Sequence, residues 1–424
     1  MTVGSPPRQL IHRRERARAR TRRRRRAALA ALAVGLLVLA VLARLASESV
    51  PPVRVRRLLA ATVPMRGPRP KLAWPAQGQA AVEVEGLGSL GSSGGSTPVP
   101  IASVAKVMTA YLTLREHPLA PGREGFTLRI TAPEVEEERE RSALDESVAP
   151  VAVGERLTER EALQALLLPS ANNVAALLAV HDAGSVSAFL ARMNATAKRL
   201  GMSSTHYTDP SGFEDSTVST ATDLLKLAAV AMREPGFAAI VDERAARIPV
   251  AGRVQNYDAL AGEEGYVGIK TGSDTEAGGC LLFAKRVAVA GRRFTILGAV
   301  LGQRDGGSYV PAALASARVL GNSAAAALRT GTVLPAGVRV MRVSGVDGRS
   351  ASIVTAHPLR EVGWGGLRFP VKVLLGHKAA STRLVRGERV ATIELNGASV
   401  SSSSAVATRS VPAPSLGWRL KNLL

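Results

Sequence analysis

Pro100-Ile101-Ala102-Ser103-Val104-Ala105-Lys106-Val107-Met108-Thr109-Ala110-Tyr111-Leu112 reads as a helix whose first turn carries Ser103 and Lys106. A spacing of three sets both side chains over one face, one turn apart. A lysine there acts as a base only when its ammonium loses its proton near neutral pH, which takes desolvation or a second positive charge close by. Ile101, Val104, Val107 and Met108 are the apolar neighbours that would desolvate it. Ser-x-x-Lys is common by chance, so a solvated lysine on a core helix is the alternative, and residues further along the chain have to separate the two.

Thr158 and Glu161 form a capping-box signature ahead of Ala162, Leu163, Ala165, Leu166, Leu167 and Leu168. That helix is apolar nearly all round and is expected to be central. It stops at Pro169, where a turn presents Ser170-Ala171-Asn172 before a further helix over 173–180. A serine at such a junction can relay a proton, and an asparagine can orient a substrate amide or a lysine. The plainer alternative is that Ser170 or Asn172 caps the following helix. The charged run 134–140 reads as a solvated face without chemistry. Residues 185–200 and those from Thr220 onward read as helices, with Asp209-Pro210-Ser211-Gly212-Phe213 a turn between them.

Gly265-Tyr266-Val267-Gly268-Ile269-Lys270-Thr271-Gly272-Ser273 begins as a glycine-flanked strand, and 278–284 and 294–302 follow as an antiparallel meander. In a regular strand Lys270 and Gly272 share one face and Thr271 takes the other. A common pocket edge therefore needs a local twist, or the close approach that a glycine allows. Lys270 would offer a cationic point, and Gly272 would let an extended substrate backbone lie along the strand.

Ser103-x-x-Lys106, Ser170-x-Asn172 and Lys270-Thr271-Gly272, in that order, resemble the motif triplet of the penicillin-binding proteins and serine beta-lactamases. Leu168-Pro169-Ser170-Ala171-Asn172-Asn173, Met193-Asn194 with Leu200-Gly201-Met202, Asp209-Pro210-Ser211-Gly212 and Gly268-Ile269-Lys270-Thr271-Gly272 narrow the resemblance. They are similar to the low-molecular-weight D-alanyl-D-alanine carboxypeptidases, the S11 serine peptidases, from about Trp74 to Gly302. This resemblance implies an α/β (α+β) penicillin-binding/serine beta-lactamase-like transpeptidase domain, an antiparallel sheet with helices, plus a small all-β C-terminal domain.

It also implies an activity: removal of the terminal D-alanine from peptidoglycan stem pentapeptides through an acyl-enzyme on Ser103, inhibited by beta-lactams. Ser103, Lys106, Ser170 and Asn172 would be catalytic, and Lys270, Thr271, Gly272 and Ser273 would bind the stem peptide ending in D-Ala-D-Ala. The N–H groups of Ser103 and Ser273 would hold the oxyanion, and Ser170, bonded to Lys106 or Lys270, would protonate the departing D-alanine. No metal or organic cofactor is implied. A D,D-endopeptidase, a serine beta-lactamase and a non-catalytic wall-binding protein are the alternatives. The last is motivated by Asp274, whose charge would repel a carboxylate-ended substrate if it faced the site. Asn173 departs from the aspartate frequent in the family. His117, His181, His206 and His357 lie in no signature that joins one of them to a nucleophilic serine.

The two ends bear on location. The chain has 424 residues and a formal charge of +21, and residues 1–26 hold eleven arginines against Glu15 alone. Such a tail suits nucleic acid, but it runs directly into the uncharged, apolar stretch 27–43. That order is the positive-inside pattern of an exported, membrane-tethered protein, so no nucleic-acid partner is expected. An uncleaved anchor in the cell membrane is expected, with a cleaved signal peptide and secretion as the alternative. Cys280 is the single cysteine, which excludes an intrachain disulfide, and with scattered histidines it leaves no evident structural zinc set.

The expected organisation is a cytoplasmic arginine-rich tail (1–26), an anchor or signal segment (27–46), a basic proline-rich stalk (47–73) and a serine peptidase domain (74–330). A small β-rich domain (333–410) and a C-terminal tail (411–424) complete it. Within the peptidase domain, 80–85 alternates as an exposed strand would.

Overall fold

The computed structural model describes residues 8–47, 50, 52–397 and 400–421, with side chains described from residue 18 on. The helix Arg8–Ser47 runs from the arginines through the alanine- and leucine-rich stretch. Among the described residues, its segment Arg18–Ser47 is the one helix long and apolar enough to cross a membrane, and none of it is buried.

The meander forms as its sequence predicts. Tyr266–Asp274, Gly278–Val289 and Arg292–Gln303 pair antiparallel in succession. The turn between the last two is Ala290-Gly291, both at positive φ (52° and 76°), the pairing that matches the twist of a two-residue hairpin. Gln79–Val84 and then Gly88–Ser93 extend the sheet to five strands. Side chains alternate between two cores. Leu281, Phe283, Ile296 and Val300 pack with Ala313, Ala317 and Leu320 of the helix Tyr309–Ala327. Leu282, Ala284, Leu297 and Ala299 pack into a helical lobe on the opposite face.

Gln79–Val84 is not the exposed strand that its Val-Glu-Val-Glu alternation suggests. It lies beside Arg292–Gln303, with Ala80, Val82 and Val84 in one core and Ala81 in the other. Alanines thin enough to be covered on both faces outweigh the alternation, and burial pushes the Glu83 carboxyl up.

At the centre of the helical lobe lies Lys106–Glu116, buried from Lys106 to Ala110. Around it pack Glu159–Leu167, Asn172–Ala183, Val186–Arg199, Ala221–Ala231 and Pro235–Val241. The capping box at Thr158 and Glu161 is made. The charged run forms the helix Ala132–Ala143, which buries nothing.

The C-terminal region is a curled seven-stranded sheet with its own core around Phe369, Val340 and Ile393. Its outermost strands are Arg54–Arg57, paired with Arg339–Ser344, and Thr62–Pro64, paired with Arg368–Leu375. The segment expected to be a stalk is thus built into the β module. Its prolines and arginines suit edge strands, where a missing N–H is tolerated and charge discourages further pairing. Arg57 also donates to the Val371 carbonyl at 3.2 Å, which draws the two edges together. Beyond this sheet lies the short helix Leu416–Lys421, whose Leu416 and Leu420 line an open apolar cleft with Leu37, Val41 and Leu45.

Met65 tests this arrangement, because it is buried in the β-module core although it falls in the proline-rich segment. Met65→Ala is expected to cost about 2–5 kcal/mol, read as a lowered calorimetric transition of the β module; a linker methionine would cost nothing.

Candidate active site

The chain enters the helical lobe at Ala102–Ala105, one turn of 3-10 helix, and continues as the Lys106 helix. Ala102 takes φ 45°, a left-handed conformation that costs a non-glycine residue of order 1–3 kcal/mol. Facing it is Gly212 at φ 80°, where an added Cβ would stand 1.9 Å from the Ala102 carbonyl oxygen. The turn carrying Ser103 is therefore pressed against the 209–213 loop.

Lys106 is wholly buried. Its Nζ donates to Ser103 Oγ at 2.8 Å and to the Ser211 carbonyl at 2.9 Å. Burial first, and the positive charge of Lys270 second, hold the amine well below the usual lysine range. With the amine neutral, the short contact reverses and Lys106 can accept the Ser103 proton.

Ser211 is a site residue that sequence reading took for part of a turn and of the family pattern, without a place in the site. Asp209 fixes its carbonyl by accepting the N–H groups of Ser211, Gly212 and Phe213 at 3.0, 2.7 and 3.0 Å, and the Thr217 hydroxyl at 2.6 Å. Asp-Pro-Ser-Gly was the available signal, since an aspartate opening such a turn caps the amides that follow.

Pro169 ends the preceding helix, and Ser170 takes φ 71°, a second strained residue. Its Oγ is buried without a hydrogen-bond partner, so the expected bond from Ser170 to Lys106 or Lys270 is not formed. Asn172 opens the next helix and donates to Glu146 at 2.7 Å, and Glu146 accepts Arg141 at 2.9 Å. Asn172 Oδ1 stays buried and unpartnered. Glu146 and Arg141 lie just beyond the charged run, and nothing in their spacing marks them. Asn173 exchanges two bonds with Ala149, at 3.0 and 2.9 Å, which makes its departure from the family pattern a clasp on that loop.

The Lys270 strand, Tyr266–Asp274, closes the site. Lys270 and Thr271 are buried and Ser273 is exposed. Lys270 Nζ donates to the Thr271 carbonyl at 3.0 Å. Burial lowers its pKa to about 7, against the opposing charge of Asp258. At Gly272 an added Cβ would lie 2.9 Å from both the Ile101 oxygen and the Ser103 nitrogen, so this strand and the Ser103 turn meet backbone to backbone. Asp274 accepts the Ala277 N–H at 2.5 Å and thereby serves the hairpin turn. The Ser103 turn and the Lys270 strand therefore meet, with Lys270 near enough for its charge to act on Lys106, and the Ser170-x-Asn172 motif is linked to them through Glu146, the partner of Asn172, whose charge also reaches Lys106.

The sequence profile of the D-alanyl-D-alanine carboxypeptidase family matches residues 88–303, half of the chain. This chain belongs to that family. Among related carboxypeptidases and endopeptidases, it is 34% identical over 184 residues to a D-alanyl-D-alanine endopeptidase of Pseudomonas aeruginosa, covering 42% of this chain and 56% of that one. It is 33% identical over 172 residues to a D-alanyl-D-alanine carboxypeptidase of Streptomyces sp., covering 37% and 58%. The chain spans about half the length of the curated relatives it matches. Penicillin-binding protein 5 of Haemophilus influenzae shares the fold over 81% of this chain and 98% of its own, at a TM-score of 0.54 and 17% identity. The carboxypeptidase-family fold expected from the motifs, a mixed α/β peptidase body followed by a β-rich region, is the one found.

Two outcomes follow from the site. Gly272→Ala is expected to lower stability by about 1–3 kcal/mol, because its Cβ meets backbone that cannot yield without moving the Ser103 turn; a thermal melt reads it. An unfolded lysine keeps its proton to about pH 10.4, whereas folded Lys270 releases it near 7. Between those values the unfolded chain binds the extra proton, so stability rises with pH through that window. Urea midpoints across pH 6 to 10, taken as the range around about 7 to 10.4, should rise less steeply in Lys270→Met than in the parent protein.

Proposed function

We propose that this protein is a serine-type D-Ala-D-Ala carboxypeptidase that trims peptidoglycan stem peptides through an acyl-enzyme on Ser103. The observation that carries the reading is the buried Lys106 amine, 2.8 Å from Ser103 Oγ and bonded otherwise only to a neutral carbonyl. A peptide ending in D-alanyl-D-alanine lies along the Lys270 strand, its carboxylate at Lys270 and Thr271. Ser103 Oγ attacks the penultimate carbonyl while its proton passes to Lys106. The N–H groups of Ser103 and Ser273 hold the oxyanion. Asn172 Oδ1, buried and unpartnered, receives the substrate amide, and as the C–N bond breaks the proton held by Lys106 passes to the departing D-alanine nitrogen through Ser170 Oγ, whose hydroxyl has no other partner. Water then hydrolyses the ester.

Lys270 binds the carboxylate as a cation, and the bound anion raises its pKa above the free value. The peptidase body corresponds to 74–330, and the β-rich domain to 333–410 together with the edge strands Arg54–Arg57 and Thr62–Pro64. The helix Arg8–Ser47 anchors the chain, with the arginine-rich tail in the cytoplasm and the peptidase outside. Beta-lactams acylate the same serine. A D,D-endopeptidase is the second reading, favoured by the relatives of that name in Pseudomonas aeruginosa and Escherichia coli.

The test is release of D-alanine from diacetyl-lysyl-D-alanyl-D-alanine, alongside labelling by fluorescent penicillin, in detergent-solubilised protein. Both are expected in the parent chain and lost in Ser103→Ala. Labelling without release, with cleavage of a crosslinked dimer, would assign the endopeptidase; neither signal in folded protein would sink the enzymatic reading. Because Lys270 must be charged, kcat/KM is also expected to fall as pH rises beyond the free pKa of about 7. Lys270→Arg, which stays charged, should keep some activity there and shift that fall to higher pH.

A further inference from the structure

The Lys106 helix and the Asn172 helix each start with a residue of the site, and their opposite ends converge as well. His117 is the C-cap of Lys106–Glu116, and His181 and Asp182 lie in the last turn of Asn172–Ala183. The ligand-bearing atoms of these three residues all fall within 4.8 Å of one another, the one such group among the described residues. His181 Nδ1 is 2.8 Å from Asp182 Oδ1, and His117 Nε2 is 3.5 Å from the same oxygen. The second distance is too long for a hydrogen bond. Ligand atoms sharing one tetrahedral zinc, at bond lengths near 2.0–2.1 Å, stand about 3.3 Å apart; the His117–Asp182 pair at 3.5 Å is already near that spacing, the His181–Asp182 pair at 2.8 Å opens slightly, and the two imidazoles, within 4.8 Å of each other, draw together through side-chain rotation.

The surroundings suit an ion. The Asp182 side chain is 2% exposed, while those of His117 and His181 are 36% and 31% exposed, which leaves one side open for water to complete the coordination. Thr113 donates to the other carboxylate oxygen, Oδ2, at 2.6 Å and orients it. Phe126 stacks on His181 with ring centroids 4.2 Å apart and meets His117 edge-on at 4.9 Å, which fixes both rings. Arg192, the nearest cation with a bond to this group, donates at 2.9 Å to the Asp182 main-chain carbonyl. A second carboxylate, Glu159, is buried with Oε1 lacking a partner and lies close enough to feel the charge of Asp182. Two helix C-termini add partial negative charge.

We propose that His117, His181 and Asp182 bind one divalent ion of the zinc class, which ties together the C-terminal ends of the Lys106 and Asn172 helices. Two imidazoles and one carboxylate select zinc over magnesium or calcium. Helices of 11 and 12 residues put this ion about 16–18 Å from Lys106 and Asn172. It touches no reacting atom and acts as a clamp on the two helices. The histidines lie far apart in the chain, which is why their spacing reveals no zinc set; the packing of the two helices creates it.

The test uses the full chain in detergent, without a histidine tag, stripped with EDTA and titrated with zinc chloride or magnesium chloride. Zinc, not magnesium, is expected to bind at one ion per chain by elemental analysis. It should raise the melting temperature by about 3–5 °C at roughly a hundredfold excess over Kd. A His117→Ala, His181→Gln variant with parental circular dichroism should lose both effects. No zinc-induced rise in the parent protein, or an equal rise and stoichiometry in the variant, overturns the proposal. If the variant does not fold, cobalt substitution of the parent protein decides: visible absorption of histidine-ligated, low-coordinate cobalt supports the site, and its absence refutes it.

Discussion

The Lys106 amine is bonded in the interior to two neutral oxygens, Ser103 Oγ and the Ser211 carbonyl, and to no carboxylate among the described residues. A buried ammonium without a counter-ion carries a penalty of several kcal/mol, so the neutral amine is the form this environment favours. The acidic groups near enough to act on Lys106 are engaged elsewhere. Asp209 receives the amides of its own loop, and Glu146 receives Arg141 and Asn172. The Lys270 charge pushes in the same direction as burial. The strained Ala102, the close approach of Gly212 and the contact at Gly272 all serve to hold a serine against that amine.

This dependence explains what could be read from the chain. Ser-x-x-Lys at helical spacing, a serine and asparagine at a helix junction, and a glycine-flanked Lys-Thr-Gly strand are local patterns, and local patterns survive in sequence. The capping box at Thr158 and the meander from Tyr266 were legible for the same reason. Glu146, Arg141 and the Ser211 carbonyl were not, because their contacts are made across loops or by the main chain, which every residue has in common. Strand Gln79–Val84 was misjudged in burial for a related reason: whether an alternating strand is half exposed depends on what lies across it, here the strand Arg292–Gln303 and two cores. The proline-rich segment was mistaken for a spacer because prolines mark sheet edges as readily as they mark linkers.

Fold and activity separate in the comparisons. The family profile covers the three motifs, whereas the likeness to Haemophilus influenzae penicillin-binding protein 5 extends over much more of the chain at low identity. Relatives with similar identity carry carboxypeptidase and endopeptidase names.

The strand Arg54–Arg57 has a mechanical consequence. It is the first described element after the long N-terminal helix and lies antiparallel in register with Arg339–Ser344. Any pull on the N-terminal segment meets that ladder before it can reach the Ser103 turn. Thr62–Pro64, across the same curled sheet, forms a second hold on the chain. A load on the N-terminal segment would therefore be met first by hydrogen-bonded ladders of the β module, at some remove from the Ser103 turn.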